Sequence, residues 1–382
     1  MSAINSHLLQ VGVLREQRPG ERRVAMVPHD IRRLSVKAVV LAEREAGRDA
    51  GFPDDAYVEA GARVTSRGDV IAGSELLVTI RPPEAPQALR PGSILISLGG
   101  RDDDLTSALR ARSVTHLGLE RLPRTARAQS MDVLSSQAAI AGYAAVLEGA
   151  RVLDVLLPML TTAAGSIKPA KMIALGAGVA GLQAIATARR LGAITHGFDV
   201  REAAREQVES LGAKFVFPNV EVAPAEAAGG YAAEQSADQL TRLRRALTEH
   251  LAPMQLIVTS AQIPGKPAPL LIDQQTIAAL QPGTVIVDLA AESGGNCVAT
   301  RPDETVTTRA GIRILGPTNM PSAAATDASR LFSGNARALL DHLIDDGGRL
   351  RLEGDDPIIV ALLAGQTPTR ALVSAVQGDR QP

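Results

Sequence analysis

The sequence predicts an α/β protein built from two domains, each a doubly wound parallel sheet. Three observations predict it. Short apolar strands alternate with helical stretches along most of the 382 residues, the pattern of a parallel sheet covered on both faces. The run Met172–Leu182 breaks an apolar strand into Gly176, Gly178 and Gly181 and continues as a helix. A long alanine-rich helical stretch from Met131 to Leu160 separates two such regions. The fold class is therefore two Rossmann-like doubly wound parallel-sheet domains joined by long helices. The expected division is residues 1–136 plus 324–382 for the first domain and 137–323 for the second.

In the first region Val11–Leu14, Ala38–Leu41, Leu76–Ile80, Ser93–Ser97 and Val114–Leu119 read as strands. Asp30–Leu34, Pro53–Ala60 and Asp103–Ala111 read as helices between them. Pro82-Pro83, Pro91-Gly92 and Gly99-Gly100 mark turns. In the second region Ala193–Phe198, Ala213–Phe217, Leu256–Thr259, Thr284–Leu289 and Ile312–Leu315 read as strands. Helical pattern resumes from Ala324 to Ile344, and the tail from Gln366 reads as loose.

Hydrophobic residues make up 45% and charged residues 21%, as in ordinary globular proteins. The net charge of −1, with scattered Lys and Arg, argues against a nucleic-acid surface. Only 2% of residues are aromatic, which argues against a base-stacking platform. Cys297 is the single cysteine, so no disulfide closes within the chain, and a reducing compartment fits. It reads as a small buried residue and not as a nucleophile. The first ten residues lack the features of a signal peptide, and no apolar run reaches the roughly 18 residues needed to cross a bilayer. None of the six histidines pairs with another histidine or a cysteine at ligand spacing, so no metal site is expected.

The glycine run is the most informative motif. Gly176 permits a tight turn, Gly178 allows a pyrophosphate close to the backbone, and Gly181 allows close packing of helix on strand. The helix start, at Val179 and Ala180, offers N–H groups and a positive dipole end to phosphates. The next strand ends in Asp199, placed to accept from both hydroxyls of an adenosine ribose. Asp199 also repels a 2′-phosphate, which favours NAD(H) over NADP(H). Arg201 either softens that preference or pairs with Glu202 or Glu206. The strand-to-helix turn without a ligand is the plainer reading of the glycines. The strand before and the acid after the motif count against it.

Two further segments carry polar groups. Pro123–Gln137 places Arg, Gln, Asp and Ser just before the long helix. Taken alone it reads as a polar loop with a helix cap. Val220–Gly230, followed by Tyr231, reads as a mobile surface loop or as a lid over the cofactor.

These segments resemble the NAD(H)-binding region of proton-translocating nicotinamide nucleotide transhydrogenases, in the form where that region is a separate alpha-subunit chain. The matching residues run from Arg15-Glu16 and Arg18–Ala25 through Arg127–Asp132 and Ser135–Gln137 to Gly176–Ala188 and Asp199–Arg201. They continue through Gln207–Phe215, Gly229–Ala232, Ile263–Pro269, Asp288–Glu292 and Gly294–Cys297. The resemblance implies that Arg124 and Ser135 hold the carboxamide of NAD(H), with Asp132 supporting them. It implies that Gln129 reaches toward NADP(H) of a partner. Asp199, Val200 and Arg201 would lie at the adenosine ribose, Tyr231 on a closing loop, and Ala261 and Leu289 beside the cofactor. It further implies a homodimer that docks on an NADP(H)-binding beta subunit and on a second, membrane-spanning alpha chain. The chain would be cytoplasmic, peripheral on the inner membrane through those partners and not itself inserted. Hydride would pass directly between the two nicotinamides, coupled to proton translocation.

The chain departs from that pattern at Val27–Asp30, Leu98–Gly100, Gln235 and Gln262. Two rival readings stand beside it. Alanine dehydrogenase shares the two-domain plan and uses a lysine and a histidine in its first domain. Here Arg81 and Ser97 or its neighbours stand in those regions, and Leu76–Gly99 contains neither Lys nor His, although Arg23 is kept. The other rival is a non-catalytic NAD-binding module.

Overall fold

The computed structural model describes residues 8–217, 226–227, 231–232, 236–263, 265–352 and 355–364. The chain divides into two compact units. One holds the residues up to Gln137 together with those from Ser322, and the other holds Ala138–Pro321.

The first unit is built on a six-stranded parallel sheet. Its elements are β1 (Gln10–Val13), α1 (Pro28–Leu34), β2 (Val39–Glu43), α2 (Asp54–Glu59), β3 (Arg63–Thr65), α3 (Arg67–Gly73) and β4 (Leu76–Val78). They continue with β5 (Ile94–Ser97), α4 (Asp103–Ala111) and β6 (Thr115–Gly118), before α5 (Val133–Val152) carries the chain into the second unit. The strand order is β3-β2-β1-β4-β5-β6. Both faces are buried because the strands are apolar on each side. Val11, Val13, Leu76, Val78, Ile94 and Ile96 face one core. Leu41, Leu77 and Leu95, one residue out of phase, face the other. Alternation with period two sends each set to its own side.

The second unit contains the hairpin β7 (Leu160–Thr162) and β8 (Gly165–Ile167), then β9 (Lys171–Leu175), α6 (Val179–Arg190), β10 (Ile194–Phe198), α7 (Ala203–Ser210) and β11 (Lys214–Phe215). A short pair, β12 (Glu226–Ala227) and β13 (Tyr231–Ala232), precedes α8 (Ala237–Leu251). Then come β14 (Leu256–Thr259), α9 (Gln274–Ala279), β15 (Val285–Asp288), β16 (Thr305–Thr307) and β17 (Arg313–Leu315). The sheet order is β11-β10-β9-β14-β15-β17-β16. All pairs are parallel except β16 on β17. The chain returns to the first unit in α10 (Ala325–Leu343) and α11 (Pro357–Leu363).

The two doubly wound parallel sheets match the fold class read from the sequence. Several details differ. The helical pattern from Met131 to Leu160 is not continuous helix: α5 stops at Val152, and a hairpin follows. Strand β3, helix α3, the edge strand β16 and helix α11 add to the elements read from the sequence. Helix α3 contains two glycines, which hide its pattern, and its start is fixed by Ser66, whose hydroxyl accepts from the Asp69 N–H at 3.2 Å. The loop Val220–Gly230, the Tyr231 side chain, Gln235 and the tail from Gln366 lie outside the described residues, apart from the backbone of the β12–β13 pair.

Candidate functional site: a dinucleotide cradle in the second unit

The strand order of the second unit reverses between β9 and β14, so the loops after these strands diverge and leave a crevice at their carboxyl ends. The glycine motif lies there. Gly176 has φ +96°, the left-handed region that suits glycine. A Cβ on Gly176 would also stand 3.0 Å from the Ala261 nitrogen. A Cβ on Gly181 would run into the carbonyl oxygen of Gly176, so helix α6 meets its strand at a distance only glycine allows. Gly178 differs from both. It caps α6 with an extended backbone, and a Cβ there would meet no atom within 4 Å. The space beside Gly178 is open, and the Val179 and Ala180 amides begin the helix next to it.

Asp199 follows β10 and is buried. Its Oδ2 accepts from the Ala177 N–H at 2.8 Å, which ties the acid to the glycine turn. The Arg201 guanidinium donates to both of its oxygens, at 2.9 Å to Oδ1 and 2.8 Å to Oδ2. The sequence offers Glu202 or Glu206 as partners of Arg201; the structure pairs it with Asp199. Two-residue spacing in a turn lets a long side chain fold back on the acid, while Glu202 pairs with Arg205. Val200 is partly buried against the core beneath.

Ala261 and Leu289 follow the neighbouring strands. Ala261 is held by Asn296, which accepts from its N–H at 3.1 Å and donates to its carbonyl at 2.9 Å. The carbonyl of Leu289 accepts from Gln262 at 3.2 Å. Beneath them lies a residue whose role sequence reasoning missed. Asp288 is fully buried. It accepts from the hydroxyls of Thr259 at 2.8 Å and Thr300 at 2.6 Å and from the amides of Ala290, Asn296 and Cys297. An aspartate closing an apolar strand is the available signal. This network fixes the loops that border the crevice. Cys297 is buried beside it, and burial pushes its thiol up to about 11. It stays a protonated packing residue at neutral pH.

The polar segment Arg124–Ser135 belongs to the first unit. Asp132 caps α5: its Oδ1 accepts from the Ser135 N–H at 3.0 Å and its Oδ2 from the Ser135 hydroxyl at 2.6 Å. Asp132 and Ser135 are therefore brought together. Arg124 and Gln129 are exposed on the preceding turn. That turn is anchored by Asn335, which donates to the Ser130 carbonyl at 2.7 Å, and by Arg127 paired with Asp356 at 2.7 Å. A second anchor is the buried pair Glu21–Arg23, with Arg23 donating to Gln137 at 2.7 Å. The pairs Ser130–Asn335, Arg127–Asp356 and Arg23–Gln137 each lie over 100 residues apart, and spacing gives no sign of them. His116 and Ser97 form a buried pair at 2.9 Å. Burial lowers the His116 pKa, which disfavours a charged ring there. Among the described residues no group of His, Cys, Asp and Glu is placed to hold a metal.

The arrangement suits a dinucleotide. A diphosphate needs open space beside backbone amides at a helix start, and Gly178 with α6 provides it. The comparisons with known proteins agree in family. Residues 12–141 match the model described as alanine dehydrogenase/PNT, N-terminal domain, and residues 145–367 match the corresponding C-terminal domain. The chain is 40% identical over 349 residues to an NAD(P) transhydrogenase of Rhodospirillum rubrum, specifically the first of the chains into which its alpha subunit is divided. The match covers 88% of this chain and 91% of that one. It is 37% identical to the corresponding chain from Rickettsia prowazekii, over 93% and 94% of the two chains. A solved transhydrogenase from Sinorhizobium meliloti superposes with a TM-score of 0.78 at 37% identity, covering 89% of this chain and 98% of that one. The alanine dehydrogenase of Halomonas elongata is more distant, at 26% identity over 96% of each chain. The chain belongs to the alanine dehydrogenase/PNT family, on the side of the NAD(P) transhydrogenase alpha subunits.

Proposed function

We propose that this chain is the NAD(H)-binding subunit of a proton-translocating transhydrogenase. Hydride passes directly between NAD(H) bound here and NADP(H) bound by a beta subunit. The observation that supports this best is the open space at Gly178, framed by two glycines that tolerate no side chain, in a chain similar along most of its length to transhydrogenase alpha subunits.

In this reading the amides around Gly178, Val179 and Ala180 hold the pyrophosphate, and Asp199, with Val200 and Arg201 beside it, receives the adenosine ribose. Ala261 and Leu289 border the cofactor. Arg124 and Ser135 orient the carboxamide, with Asp132 fixing Ser135, and Gln129 reaches toward the partner's nucleotide. Tyr231 lies on the loop that closes over the cofactor. The nicotinamide supplies the hydride. The residues of this chain bind, orient and exclude water, and no general acid or base is required.

No helix among the described residues is long and apolar enough to cross a membrane. In this reading coupling to proton movement falls to a second, membrane-spanning alpha chain and the beta subunit, with this chain peripheral on the cytoplasmic face of the inner membrane. A homodimer is supported by exposed apolar side chains on and before the β7–β8 hairpin, including Leu156, Met159, Leu160 and Ile167.

The test mixes the purified chain with an NADP(H)-binding transhydrogenase domain and follows reduction of an NAD analogue by NADPH. Turnover is expected. Oxidation of alanine with NAD, and no turnover in the mixture, would overturn the reading. Gln129→Asn should slow transfer at least tenfold while NADH binding stays near wild type.

A further inference from the structure

Four hydrogen bonds converge on the Asp199 carboxylate. Oδ1 accepts from the Arg201 N–H at 2.9 Å and from Arg201 Nε at 2.9 Å. Oδ2 accepts from the Ala177 N–H at 2.8 Å and from Arg201 Nη2 at 2.8 Å. An ionised carboxylate has two oxygens and about four lone-pair sites. These bonds therefore use the whole accepting capacity of Asp199. A ribose that offers it two hydroxyls finds no site open.

The four donors are not alike. The Ala177 and Arg201 amides belong to the backbone of the glycine turn and of the turn after β10. Neither withdraws without a change of backbone conformation. The guanidinium ends a side chain with rotatable bonds. The Arg201 side chain is 20% exposed against 6% for Asp199, so it borders solvent while the acid does not. Its withdrawal vacates one site on each carboxylate oxygen, and two ribose hydroxyls then have two sites. Until then the guanidinium keeps a buried carboxylate paired, which an apolar surrounding otherwise makes costly.

We propose that Arg201 is a latch on the ribose site: its guanidinium holds the two acceptor sites of Asp199 that the adenosine ribose needs and releases them as the hydroxyls arrive. The latch rests on the reading of Asp199 as the ribose acceptor and adds its competitor. Binding is then an exchange. The hydroxyl bonds gained are offset by the two charge-assisted bonds given up. The ribose hydroxyls consequently add little to affinity while Arg201 is present and far more once its guanidinium is removed.

The test titrates NADH, and an analogue lacking both hydroxyls of its adenosine ribose, into the wild-type chain and into Arg201→Ala by calorimetry. The four affinities form a double-mutant cycle between the guanidinium and the hydroxyls. The affinity ratio of NADH to the analogue should be about tenfold or more larger in Arg201→Ala than in wild type. A purely structural role for Arg201 would weaken both ligands alike and leave that ratio unmoved. Arg201→Gln keeps much of the side chain without its charge or fork. It should move the ratio in the same direction, and it serves if the alanine variant does not fold. A ratio that is unchanged, or larger in wild type, would overturn the latch and leave the cofactor reading in place. No binding of NADH by wild type and variants alike would contradict the cofactor reading and the latch with it.

Discussion

Gly178 and Gly181 stand three residues apart under opposite constraints. A side chain at 181 collides with the Gly176 carbonyl, whereas one at 178 meets no protein atom. Gly181→Ala should therefore destabilise the fold by about 3 kcal/mol, read from denaturant midpoints. Gly178→Val should melt near the wild-type temperature yet lose most NADH affinity. Similar unfolding of both variants would contradict the assignment of separate roles. Asp199 allows a finer test. Its carboxylate is already oriented by Ala177 and Arg201, so Asp199→Ala should weaken NADH binding and narrow the preference over NADPH. Glu16 adds a pH dependence with a definite sign. Its folded pKa, about 7, lies above the ordinary 4.5. The stability it contributes is complete below pH 4.5 and is lost as pH rises through 7. A shift of that size corresponds to about 3 kcal/mol. Glu16→Gln should flatten the fall in melting temperature between about pH 5 and 8 relative to wild type.

Among the elements, α5 depends on its cap. Asp132 satisfies the Ser135 amide and hydroxyl together, so Asp132→Ala should cost about 1 kcal/mol by chemical denaturation. A loss also of hydride transfer far beyond that cost would separate cofactor support from capping. The strand–turn–helix–strand unit from β9 to β10 is legible in the sequence because apolar periodicity and glycine spacing both act locally. Strand β14, Leu256–Thr259, is legible with its observed bounds for the same reason. The β7–β8 hairpin is not: its strands are exposed and short, and the preceding alanine-rich pattern masks the end of α5 at Val152. The partner of Arg201 escapes a sequence reading because its acidic neighbours, Glu202 and Glu206, look as suitable as Asp199. Only the fold of the turn after β10 brings Asp199 into bidentate reach. The Asp288 network and the Glu21–Arg23–Gln137 anchor depend on loops meeting after the sheets form, and no spacing rule encodes that.

At the scale of the whole molecule, the chain carries two doubly wound sheets, each with its own switch point. In the proposed reading the second receives a dinucleotide. The fold class follows from alternation along the chain, but the ligand proposed for the second sheet follows from which residues end up at its crevice: open glycine backbone beside Asp199. The functional assignment rests above all on a diphosphate lying against the start of α6. Calorimetric titration of NADH into the purified chain is the decisive experiment. Saturable heat with NADH, far weaker binding of NADPH, and no binding of NADH to Gly178→Val are expected. Absence of heat with NADH, or unchanged binding in Gly178→Val, would contradict the assignment.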